Sequence, residues 1–157
     1  MTERVTLAPL EQMAPLVEAA GLPPAAASRT VYRVLAHNPT VLNVVATQIQ
    51  TLIRKNSLPH RLRELVIMRI AHLNGAPYEA DQHAPIALKE GLTQAQLQAL
   101  PDWQATSVFT PVQRCVLRLC DEMTRHIQFD ASVLAEVQSH LGERQTVEIG
   151  RASCRER

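Results

Sequence analysis

The sequence predicts an all-α protein on three observations. Apolar residues recur at spacings of three and four in segment after segment, no segment alternates with the period of a strand, and helix start and stop signals punctuate the chain throughout. The low aromatic share, 3%, with alanine, valine and leucine prominent, suits packed helices better than a sandwich of sheets. At 157 residues the chain is long enough for a core that needs neither disulfides nor metal.

Residues 1–22 read as an N-terminal arm with a short amphipathic candidate at 11–20, flanked by prolines. Pro23 and Pro24 open a helix expected to run to His37, with Val31, Val34 and Leu35 as its buried side. Asn38 before Pro39 supplies a cap and a proline at the first helical position. Val41, Leu42, Val45, Ile49, Leu52 and Ile53 then make 39–55 an amphipathic helix that Asn56 and Ser57 break.

A helix-turn-helix hairpin over 59–91 carries most of the residues capable of chemistry. Pro59 opens its first helix, Gly75 with Pro77 makes the turn, and Gly91 closes the second helix. In the first helix Leu62, Leu65, Val66, Ile67, Met68, Ile70, Ala71 and Leu73 spread around the wheel, the pattern of a helix enclosed by others. Glu64 lines up with Met68, Ala71 and Gly75 on an apolar face, and a carboxylate there needs a partner. Arg61, Arg69 or an arginine of another subunit could serve as a purely structural one, and the sign of any shift in the Glu64 pKa stays open. In the second helix Glu79 and His83 stand one turn apart, Tyr78 lies near the turn, and Pro85 predicts a kink just after His83.

Thr93 with Gln96, and Thr110 with Gln113, form two capping boxes, opening helices through Leu100 and to His126 with 101–107 as loop between them. A last complete helix spans 131–141 and is closed by Gly142; residues 143–147 read as an opening turn, after which the apolar period stops. Residues 148–157 coincide with the one-frame translation of a common short-read sequencing adapter and are read as a non-native tail.

The formal charge of +1 provides no electrostatic footprint for nucleic acid or an anionic membrane surface. With no long apolar run and no leader pattern, a cytosolic protein without a membrane partner is expected. Cys115 and Cys120, five apart in one helix, point different ways and read as small buried hydrophobes; Cys154 falls in the tail.

The stretch RELVIMRIAHLNGAPYEADQHAPIALKEGLT resembles the carboxymuconolactone decarboxylase and alkyl hydroperoxidase D-like (AhpD-like) family, and the resemblance covers 31–147. The redox branch of that family carries a glutamate, a Cys-x-x-Cys pair and a histidine; Glu64 and His83 match, whereas the cysteine positions hold Ala76 and Glu79. The resemblance implies an AhpD-like helical domain over 23–147, with a further C-terminal helix that this chain lacks, and a homo-oligomer, trimer or hexamer. It implies cofactor-free decarboxylation or a related proton transfer on a small-molecule substrate, a carboxylated lactone or similar acid. His83 is then the general acid/base and Glu64 its orienting or second acid/base group. Tyr78 and Glu79 line the pocket, and Arg61 or Arg63 anchors a substrate carboxylate. No cofactor or metal is expected: Glu79 and His83 supply two ligands on one helix, and zinc or iron would require Glu64 or His72 to complete the set. Two other classes stand beside this reading: thiol peroxidase activity, opposed by Ala76 and Glu79, and a non-catalytic oligomeric ligand-binding protein.

Overall fold

A computed structural model describes residues 5–155, which contain eight α-helices and no strand. The chain divides into two compact units, Met1–Lys55 and Asn56–Arg157.

The first unit holds α1 (Leu10–Ala19), a 3-10 turn (Pro24–Ser28), α2 (Thr30–Leu35) and α3 (Pro39–Arg54) around Met13, Val17, Ala26, Tyr32, Leu42 and Ala46. The helix expected from Pro23 to His37 is broken at Arg29, whose backbone is extended. Two prolines start a tight turn there, and the Ser28 hydroxyl donates to the Ala25 carbonyl, a local bond that competes with helix continuation. The break resets the register, so Tyr32 is buried, Val31 is exposed, and Val34 and Leu35 are only half-buried. The cap of α3 forms as expected: the Asn38 side-chain oxygen accepts from the Val41 N–H at 3.2 Å.

The second unit contains α4 (His60–Leu73), α5 (Pro77–Lys89), α6 (Gln94–Ala99), a 3-10 turn (Leu100–Ala105), α7 (Pro111–Arg125) and α8 (Ala131–Arg155). Its centre is α4, where every residue from Leu62 to Ala71 is buried. Leu65, Val66 and Ile70 share one core with Val116, Leu117 and Leu119 of α7 and Val133 and Val137 of α8. That enclosure is what the all-round apolar pattern of α4 predicts.

Three charged residues lie inside this buried helix, Arg63, Glu64 and Arg69, and each has a counter-charge. Arg69 meets Asp121 of α7 through two parallel bonds, Nε to Oδ1 at 2.6 Å and Nη2 to Oδ2 at 2.7 Å, and donates to the Leu100 carbonyl at 2.6 Å. The Trp103 indole N–H donates to the same Asp121 at 3.2 Å. The expected loop at 101–107 is therefore largely a 3-10 turn, ordered by a buried tryptophan and by Arg69 holding its backbone.

Both capping boxes form, and they join each other. Gln96 Nε2 donates to Gln113 Oε1 at 3.1 Å and to the Val108 carbonyl at 3.0 Å, tying the start of α6 to the start of α7. Gly142 adopts φ +73° and breaks α8 where the sequence places a stop. Helical backbone continues beyond it to Arg155, further than the opening turn predicted at 143–147. Ile149 is fully buried there, and the Glu148 carboxylate accepts from the N–H groups of Ser57 and Leu58, both at 2.8 Å.

Candidate active site

The turn between α4 and α5 aligns the two helices. Ala76 N–H bonds the Ala71 carbonyl at 2.8 Å and Gly75 N–H the His72 carbonyl at 3.2 Å, the paired bonds of a Schellman motif. Gly75 sits at φ +59°, where a Cβ is strained, and Pro77 begins α5 at once, so the reversal takes only Asn74, Gly75 and Ala76.

Across this hairpin His83 Nδ1 lies 2.8 Å from Glu64 Oε2. Both side chains are buried, Glu64 at 2% exposure and His83 at 7%. The other Glu64 oxygen accepts from Arg63 Nε at 3.2 Å. Burial acts to raise the Glu64 pKa, but the hydrogen bond and charge of His83, followed by those of Arg63, outweigh it and hold the carboxyl below its ordinary value. A charged Glu64 accepts, so Nδ1 of His83 carries the donated proton and Nε2 is the nitrogen that can exchange one. Nε2 faces Glu79 Oε2 at 3.7 Å, longer than a hydrogen bond, and Glu79 is only half-buried. The hairpin thus brings Arg63, Glu64, His83 and Glu79 into one row of neighbours, with the half-buried Glu79 at its solvent end.

The remaining expected site residues lie as follows. Tyr78 is exposed on the first turn of α5. Arg61 is exposed, and its Nη2 donates to Gln96 Oε1 at 3.3 Å, at the start of α6. Arg63 is buried beside Glu64. Arg69, a conceivable partner for Glu64, is committed to Asp121 instead. α5 runs as one helix through Pro85, from Pro77 to Lys89. Sequence reasoning missed the Arg63–Glu64 pair because adjacent residues on a helix point about 100° apart, and only long side chains in a closed space fold back to meet. Ala76 and Glu79, at the N-cap and in the first turn of α5, leave that helix end without a thiol. Cys115 and Cys120 lie elsewhere, on α7, and burial pushes the Cys120 thiol up to about 12.

The fold is that of an AhpD-like helical protein, with Ala76 and Glu79 on the hairpin where the redox branch carries cysteines. The sequence profile of the carboxymuconolactone decarboxylase family matches residues 39–122, and the chain belongs to that family. The chain is 27% identical over 71 residues to the uncharacterized protein YdfG of Bacillus subtilis, a match covering 45% of this chain and 48% of YdfG, so it spans about half the length of that relative. Among solved structures it resembles a protein of unknown function from Agrobacterium tumefaciens whose suggested role is antioxidant defence protein AhpD, with TM-score 0.72 and 19% identity over 78% of this chain and 84% of that one. It also resembles the debrominase Bmp8, with TM-score 0.80 and 14% identity over 99% of this chain and 86% of Bmp8. A second Bmp8 structure, an alanine variant in complex with 2,3,4-tribromopyrrole, aligns with TM-score 0.77 and 16% identity over 99% of this chain and 85% of that one. These structural likenesses bear on the fold.

Proposed function

We propose that the hairpin site performs cofactor-free acid/base chemistry, a decarboxylation or related proton transfer, on a small carboxylated lactone or similar acid. The observation that carries this reading is the buried Glu64–His83 bond at 2.8 Å, which leaves Nε2 of His83 directed toward the half-buried Glu79. Glu64 fixes the ring and its tautomer through Nδ1, and Arg63 neutralises the second carboxylate oxygen. As the bond to the carboxylate breaks, its electron pair stays on the substrate and carbon dioxide leaves; His83 delivers a proton to that carbanion carbon and is reprotonated from solvent. In this reading Tyr78 and Glu79 line the substrate pocket, and the exposed Arg61, which also donates to Gln96, anchors a substrate carboxylate. A homo-oligomer, trimer or hexamer, in the cytoplasm completes this reading, by analogy with the family.

Thiol peroxidase activity fits the chain less well. Ala76 and Glu79 stand where that chemistry needs cysteines, and burial pushes both Cys115 and Cys120 away from the reactive thiolate form. The similarity to a debrominase extends the range of ligands to be tried to small planar ring compounds.

The test is carbon dioxide release from a carboxymuconolactone, with native and His83→Ala proteins compared at equal helical content. Loss of His83 is expected to lower kcat by about 10²- to 10⁴-fold. Glu64→Gln should give an intermediate loss, since the ring keeps a partner but loses its counter-charge. A His83→Ala protein as active as the native one would refute the assignment.

A further inference from the structure

We propose that Cys115 of α7 with Glu136 and His140 of α8 binds a divalent cation of the zinc class, at a place separate from the Glu64–His83 site. The Cys115 sulfur, a Glu136 carboxylate oxygen and a His140 ring nitrogen all lie within 4.8 Å of one another. Around a tetrahedral zinc ion with bonds of about 2.0 to 2.3 Å, ligand atoms stand roughly 3.3 to 3.8 Å apart. The difference is small enough for rotation of Glu136 and His140, which are exposed, without backbone movement. These two residues are four apart on α8 and share one face, so they chelate together, while Cys115 reaches them from the neighbouring helix.

The donor set selects the metal. Sulfur, imidazole nitrogen and one carboxylate oxygen suit zinc, whereas magnesium and calcium require oxygen donors in greater number. Three protein ligands at an exposed edge leave the fourth position to solvent. Neither the Glu136 carboxylate nor the His140 ring hydrogen-bonds another described residue, and the Cys115 thiol meets only the Val112 carbonyl of its own helix, at 3.1 Å. Burial, and then the negative charge of Glu136, push the Cys115 pKa up, so the thiol is protonated until a cation displaces that proton. On binding, the S–H bond is replaced by a sulfur–metal bond and the proton passes to solvent. The thiolate and the carboxylate together balance the two positive charges of the ion. Such an ion would pin α7 to α8, two helices that both pack on α4.

The experiment uses the full chain carrying Cys154→Ser, stripped by a chelator and then titrated with cobalt(II) and with zinc. The expected result is one cobalt ion per chain with a thiolate-to-cobalt charge-transfer band, its displacement by zinc, and a zinc-dependent rise in Tm. His140→Ala and Glu136→Ala, both at exposed positions, should weaken zinc binding by about tenfold or more, and Cys115→Ser should abolish the band. His83→Ala should leave band and affinity unchanged, which separates this site from the acid/base site. Absence of the band in the starting protein, its persistence in Cys115→Ser, or undiminished affinity in both α8 variants would overturn the proposal.

Discussion

Ile127 follows the last turn of α7 in the left-handed region, at φ +57°, with 78% of its surface exposed. A β-branched side chain is costly there, and glycine is the usual occupant of this position after a helix. Ile127→Gly should therefore stabilise the protein by about 1 kcal/mol, read as a higher urea midpoint with the slope unchanged. Glu64 shows the opposite balance: its strain is electrostatic and is answered locally by His83 and Arg63. Its need for a partner was legible from its place on an apolar helix face, and His83 was a candidate by its position on the second helix. Which arginine approached, and whether the pKa moved up or down, depended on distances that spacing along a chain does not contain.

Among the elements, α4 is held by the groups that neutralise its charges as much as by its leucines and isoleucines. Arg69 links it to α7 through Asp121 and to the 3-10 turn through the Leu100 carbonyl, with Trp103 closing the network. Removing one partner strands a buried charge, so Arg69→Met should cost about 3 to 5 kcal/mol by chemical denaturation. The double variant Arg69→Met with Asp121→Leu should recover part of that loss, because no unpaired charge remains. Helix boundaries set by local chemistry, at Asn38, Thr93, Thr110 and Gly142, were readable from the sequence, since a cap bonds backbone within three residues of itself. The 3-10 turn at Leu100–Ala105 was not, because its order comes from Trp103 and Arg69, distant partners invisible to a local window.

For the whole molecule, the lowered Glu64 pKa links stability to pH. A carboxyl whose folded pKa lies below its ordinary value of 4.5 contributes stability that is full above that value and is lost as pH falls through the depressed folded value. Denaturant midpoints followed from neutrality down to about pH 3 should fall, and Glu64→Gln should flatten part of that fall. An equal acid dependence in the two proteins would mean that other carboxylates, such as Glu148 or Asp130, dominate it. Among the described residues no helix is long and apolar enough to cross a membrane, which agrees with the absence of a long apolar run in the sequence.

The sequence by itself determined the helical class, the central hairpin, the caps, and the presence of a glutamate and a histidine able to meet across a turn. These follow from periodicity and from bonds that close within a few residues. Only the tertiary structure decided that Arg63 completes the Glu64–His83 pair, that Arg61 turns toward Gln96, and that Cys115, which reads as a small hydrophobe, lies beside Glu136 and His140. Each of these depends on which side chains two packed helices bring within a few ångströms, and that is set by the rotation and offset of the helices, quantities no local residue pattern encodes.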